Sequence, residues 1–216
     1  FRKLRSSGYP LVLLDRYYPD LETDWVTFDD EGASYALTTH LIRKGHKRIA
    51  VFTGHEAEVS SVRGRIRGYR LALEAAGLVY DEDLICLDIY SKLLPETIYN
   101  LPHTYHALFE RIRAGKFTAA LAINRFIALQ MSMDLMRIRA SLTPSVSVGA
   151  EGVQVDNLGI AIAAISNRPF TNEETSLVAL AIQSGEVLGE RAMEVVLRRL
   201  EEGAAQLADR SQPLVL

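Results

Sequence analysis

Ser61 and Arg65 stand four residues apart at the start of a predicted helix, so one turn carries both side chains toward its N-terminal end. A hydroxyl there can cap the helix or meet a ligand. A guanidinium offers a rigid fork matched to paired oxygens, such as vicinal hydroxyls or a carboxylate. The plainer reading is a capping serine and a solvated arginine, on a helix that also carries Arg63, Arg67 and Arg70. Asn124 closes a predicted strand, where an amide donates and accepts at once, and Arg125 follows it. Glu151 comes soon after Gly149 at another strand end, either to accept from two hydroxyls or to stand as a solvated loop charge. Asp15 and Arg16 end the opening strand, where they form an ion pair with each other or reach a ligand in the crevice.

Catalysis and metal binding have no comparable signal. The chain holds no G-x-S-x-G elbow, no G-x-x-x-x-G-K-[ST] phosphate loop and no G-x-G-x-x-G after a strand. Gly64 and Gly68 bracket Arg65 and Arg67 inside a predicted helix and cannot cradle a phosphate. Among the histidines, His103 and His106 have i,i+3 spacing, but no cysteine or carboxylate cluster joins them. No catalytic residue, metal or cofactor is therefore expected.

Such side chains need rigid elements beneath them. The run Tyr9-Pro10-Leu11-Val12-Leu13-Leu14, ending in charge, suits a strand covered on both faces. Trp25–Phe28 follows as a short strand, with Asp29 or Asp30 as the N-cap of a helix stopped by Gly45. Further strands are predicted at Arg48–Thr53, Leu84–Ile89, Thr118–Asn124 and Ser145–Gly149. Helices are predicted near Val62–Ala76, Thr104–Ala114 and Ile127–Ile138. This alternation means a doubly wound parallel α/β architecture. Beyond Gly149, the capping-box pattern Thr171-Asn172-Glu173-Glu174 opens a long helical stretch to about Glu202, with possible breaks at Gly185 and Gly189. Gln212–Leu216 reads as the start of an edge strand.

A net charge of −3 argues against a free-standing nucleic-acid surface, because such surfaces carry a basic excess. The single cysteine, Cys86, lies in an apolar run and reads as a core thiol of a reducing compartment. No apolar run approaches the roughly 20 residues of a membrane span, and Phe1–Pro10 lacks the apolar segment of a signal peptide. A cytoplasmic protein with no membrane partner is expected.

Several blocks, in order, resemble the LacI/GalR family, and within it the arabinose-repressor type. The longest is His40-Leu41-Ile42-Arg43-Lys44-Gly45-His46-Lys47-Arg48-Ile49-Ala50-Val51-Phe52; others are Tyr9–Arg16, Asp29–Tyr35, Ser60–Tyr69, Ala120–Asn124, Ser145–Gly149 and Leu188–Glu194. The resemblance implies a periplasmic-binding-protein-like core of two doubly wound parallel-sheet lobes, the N-terminal one incomplete. It divides the chain into 1–46, part of the N-terminal lobe; 47–165, the C-terminal lobe; and 166–216, return helices and crossover. It implies a sugar or sugar-derived effector, a homodimer, and DNA binding through a helix-turn-helix head that this chain does not contain. Ser61, Arg65, Asn124 and Glu151 match effector-contacting positions, with Asp15, Arg16 and Arg125 as further ligand or hinge residues. Arg125 replaces an acidic residue of the family, which favours an anionic effector such as a sugar phosphate, or a pairing with Glu151. Two other readings fit parts of the chain: an extracytoplasmic solute-binding protein of a transporter, and an enzyme or sensor module built from the last third, where Asn167–Glu174 and the predicted helix after it, within 153–187, resemble the end of a GAF domain.

Overall fold

The structure is a computed structural model describing residues 3, 10–54, 58–87, 102–141, 148–149, 152–153, 159–170, 177–202 and 213–215; at 102–105, 139–141, 148–149, 152–153, 202 and 213 only the backbone is described. Two parallel sheets carry the fold. The smaller one is made by β1 (Val12–Leu14), β2 (Asp24–Thr27) and β10 (Pro213–Val215) in the order β1-β2-β10. The larger one holds β3 (Ile49–Phe52), β4 (Ile85–Cys86), β5 (Ala119–Ala122), β8 (Ala161–Ser166) and β9 (Leu177–Ile182), in the order β4-β3-β5-β8-β9. A separate antiparallel pair joins β6 (Val148–Gly149) to β7 (Gly152–Val153).

The helices are α1 (Asp30–Arg43), α2 (Ser60–Ala75), α3 (Pro102–Arg113), α4 (Arg125–Ser141) and α5 (Gly185–Glu202). Local chemistry explains where α1 starts and stops. Asp29 caps it by accepting from the Gly32 N–H at 2.7 Å. Gly45 then takes φ 94°, the left-handed conformation in which a side chain is strained, and the chain turns into β3. The main core lies on the larger sheet, where Ile49–Phe52 and Ala119–Ala122 are fully buried. A smaller cluster of Val26, Leu188, Ala192 and Val195 joins α5 to the smaller sheet. Buried Arg199 of α5 grips Asp24 of β2 with two bonds of 2.7 and 2.8 Å.

Helices α1 and α2 pack closely against each other. The contact depends on two glycines of α2. A Cβ on Gly68 would lie 2.1 Å from the Glu31 carbonyl oxygen, and one on Gly64 would lie 3.1 Å from the Asp30 Cβ.

The structure departs from the sequence expectation after Gly149. Val148–Gly149 pairs antiparallel with β7 instead of joining the larger sheet. Ala161–Ser166, which carried no strand expectation, pairs in parallel with β5 through its first four residues. Leu177–Ile182, expected within the long helix, is the parallel edge strand beside β8, and the helix begins only at Gly185. A short apolar run such as Leu-Val-Ala-Leu-Ala-Ile has no periodicity to separate strand from helix, and the open edge of β8 supplies the backbone partners. The capping pattern at 171–174 lies outside the described residues. The C-terminal edge strand is found as expected, parallel to β2.

Replacing Gly68 by alanine forces the α1–α2 contact open and should cost about 1–3 kcal/mol. A shifted midpoint in chemical denaturation, with the slope unchanged, is the expected result.

Candidate ligand-binding site

In the larger sheet, the chain leaves β3 for β4 on one side and leaves β5 for β8 on the other. The carboxyl ends of β3 and β5 therefore flank the point where strand order reverses, the usual place for a ligand crevice in an open α/β sheet. Arg65 is planted there. Its Nη1 donates to the carbonyl of Ile123, just past β5, at 2.7 Å.

The rest of its guanidinium is held by two residues from distant parts of the chain. Nε donates to Asp30 Oδ1 at 2.8 Å, and Nη2 donates to Gln183 Oε1 at 2.9 Å and also lies 2.8 Å from Asp30 Oδ1. Gln183 Nε2 closes the triangle by donating to the same Asp30 oxygen at 3.1 Å. All three residues are buried. Because Gln183 sits between β9 and α5, the network ties the larger sheet to the helix that packs on the smaller one. Burial lifts the Asp30 carboxyl above its ordinary value of 3.8, with Arg65 and Gln183 opposing the shift.

A cavity of about 410 Å³ opens beside the network, and Asp15, Tyr17, Trp25, Asp30 and Ser61 are among its lining residues. Tyr17 and Trp25 stack with ring centroids 4.5 Å apart and an interplanar angle of 14°. The Tyr17 backbone N–H donates to Ser60 Oγ at 3.0 Å, fixing this stack to the start of α2. Asp15 adopts φ 65°, a conformation uncommon for a residue with a side chain, and its N–H donates to the Val26 carbonyl at 3.0 Å.

The expected residues fall in different places. Ser61 is buried in the cavity wall, and α2 has Val59 as its N-cap without a side-chain bond, so Ser61 is not the cap. Arg65 lies behind Asp30 and is absent from the lining. Asn124 follows the Ile123 carbonyl that Arg65 holds, and its Oδ1 accepts from the Ile127 N–H at 2.9 Å, capping α4. Arg125 lies over the Phe170 ring, 4.2 Å from its centroid, and donates to the Pro169 carbonyl at 3.2 Å. Arg16 pairs with Asp15 at 3.5 Å, with both side chains substantially exposed. Glu151 lies outside the described residues. At the strand position next to β5 the carboxyl edge is instead formed by Ser166, Asn167 and Arg168, where Ser166 Oγ donates to the Arg168 carbonyl at 2.6 Å.

Asp30 and Gln183 were missed by the sequence reading as site residues. The signal for Asp30 was available: two aspartates compete to cap one helix, and the one left over needs another partner. Gln183 carried none, since the run before it was read as helix.

The model for periplasmic binding proteins and the sugar-binding domain of the LacI family matches residues 1–90. The HTH-type transcriptional regulator CelR of Thermobifida fusca is 42% identical over 84 residues, covering 38% of this chain and 24% of that protein. The maltose regulon regulatory protein MalI of Escherichia coli is 26% identical over 193 residues, covering 81% of this chain and 56% of that one. The chain thus spans about a quarter of the first relative and just over half of the second. A LacI family transcriptional regulator from Enterococcus faecium, solved with bound ribose, superposes with a TM-score of 0.68 at 19% identity, over 100% of this chain and 69% of that one.

Arg65→Ala would leave the buried Asp30 carboxylate without its cation, and the expected loss is about 3–5 kcal/mol of stability by denaturation. The pH dependence of Asp30 has a definite sign. Its folded form keeps the proton to higher pH than the unfolded chain, so its contribution to stability falls as pH rises from 3.8 through the raised folded value and is level above it. The stability advantage of wild type over Asp30→Asn should shrink across that window, as followed by denaturation midpoints at successive acid pH values.

Proposed function

We propose that this chain, an effector-binding core of the LacI/GalR family, senses a sugar or sugar-derived effector and thereby controls DNA binding by a helix-turn-helix head in the intact protein. One observation carries the reading: a buried Arg65–Asp30–Gln183 network at the strand-order reversal, beside a cavity walled by carboxylates, a serine and a stacked aromatic pair. A space of about 410 Å³ suits a small polar ligand. Carboxylates accept from hydroxyls and Ser61 both accepts and donates, while an aromatic face covers the apolar side of a sugar ring. The bound ribose of the Enterococcus faecium structure supports the same ligand class.

In this reading Ser61 touches the effector and Arg65 holds the wall in place. Asp15 lines the same cavity with Arg16 paired to it, and Asn124 follows the Ile123 carbonyl that Arg65 holds. One lobe is built on the smaller sheet and α5, the other on the larger sheet, and the chain crosses between them near Phe28–Asp29 and Gln183–Ser184. Closure of the lobes on the effector would alter the spacing of the attached heads, provided that the ligand binds one lobe arrangement better than the other. A homodimer fits the exposed apolar stripe Met193, Leu197 and Leu200 on α5. The named relatives are regulators, which favours this reading over a transporter's binding protein, and β9 continues the larger sheet where a GAF-like segment was the alternative.

Calorimetry on the intact protein with a panel of mono- and disaccharides should find a binder, and that sugar should change affinity for operator DNA. Trp25→Ala and Ser61→Val should each weaken binding by about a decade, roughly 1.4 kcal/mol. Absence of any sugar binding, or binding that ignores both substitutions, would refute the proposal.

A further inference from the structure

Among the described residues, the cavity wall carries charge of one sign. Asp15, Asp29, Asp30 and Glu31 line it, and none of the described lining residues is a lysine or arginine. Three of these carboxylates are engaged at the surface: Asp29 with the Gly32 N–H, Asp15 with Arg16, and Glu31 with Arg67 at 3.1 Å. Asp30 is different. It is buried, it reaches the cavity, and its Oδ1 accepts from Arg65 Nε and Gln183 Nε2 while Arg65 Nη2 lies 2.8 Å away as its ion-pair partner. No donor among the described residues reaches its Oδ2.

We propose that Asp30 sets the effector class of this site: its pinned carboxylate receives the hydroxyls of an uncharged polyol and turns away anionic effectors such as sugar phosphates and sugar acids. The inference rests on the sugar-sensor reading and narrows it. Two hydrogen bonds and an ion pair on one oxygen hold the carboxylate in place, so its other oxygen is presented as a bare acceptor. A ligand hydroxyl can donate to that oxygen. A phosphate oxygen or second carboxylate has no proton to give and meets a like charge in a buried wall.

The guanidinium that could welcome an anion is already committed. For Arg65 to turn outward it would have to abandon Asp30, the Ile123 carbonyl and Gln183 together, leaving a buried charge uncompensated. Arg125, whose position favoured an anionic effector on sequence grounds, is absent from this lining and packs over Phe170.

The test uses the intact protein, its Asp30→Asn and Asp30→Glu variants, and calorimetry. Probes are ribose, glucose and cellobiose; ribose 5-phosphate, glucose 6-phosphate and gluconate; and inorganic phosphate. Wild type should bind an uncharged sugar more tightly than its phosphate. Asp30→Asn should raise affinity for inorganic phosphate at least tenfold and lower the sugar-to-sugar-phosphate preference at least tenfold, and Asp30→Glu should restore the wild-type ranking. A merely structural aspartate would change stability without changing that ranking. Wild type preferring a sugar phosphate to its parent sugar, or Asp30→Asn leaving both the ranking and phosphate affinity unchanged, overturns the inference. Should Asp30→Asn fail to fold, the wild-type ranking decides alone. If no sugar of either kind binds wild type, the sugar reading fails, while the phosphate titrations still decide the role of Asp30.

Discussion

A buried charge must be matched, and in this chain the match between Arg65 and Asp30 dictates how four segments meet. The start of α1 brings the carboxylate, α2 brings the guanidinium, the end of β5 brings a carbonyl, and the β9–α5 junction brings the Gln183 amide. Displacing any one of these leaves a polar group without its partner in a place that water reaches poorly. The surrounding residue choices follow. Gly64 and Gly68 let α1 approach α2 closely enough for Asp30 to reach Arg65, and Asp29 takes the capping role so that Asp30 is spared for it.

The smaller sheet has a pair of its own. Arg199 and Asp24 are 175 residues apart in sequence and meet in a buried two-bond fork. The apolar cluster around them is small, and Leu14, Met193, Leu197, Leu200 and Val215 remain exposed nearby. Packing there is directional more than extensive. A fork that accepts one geometry compensates for a core that would tolerate several.

The sequence was informative where one signal had one meaning. Gly45 after α1, the buried runs of β3 and β5 and the helical spacing of α2 all appear where periodicity and glycine chemistry put them. Reading failed where a local signal supports two structures. Leu177–Ile182 is apolar at every position, which fits a helix interior and a sheet strand equally, and only the free edge of β8 decides between them. The site was half legible for the same reason. Ser61 and Arg65 stood out by spacing on one helix, but Asp30 and Gln183 reach Arg65 across 35 and 118 residues. Asp30 was marked only as the aspartate left over at a helix cap, and nothing near Gln183 announces that meeting.

The parallel pairing of β10 with β2 sets Pro213 beside Trp25, so the strand in the middle of the smaller sheet waits for residues near the other end of the described chain. Among the described residues, the larger sheet takes no strand later than Ile182. On a ribosome, the five-stranded unit can therefore consolidate while the earlier segment around Val12–Thr27 still lacks both α5 and its third strand. Synthesis order and assembly order run opposite for that sheet, and its apolar strands need protection until α5 and β10 emerge.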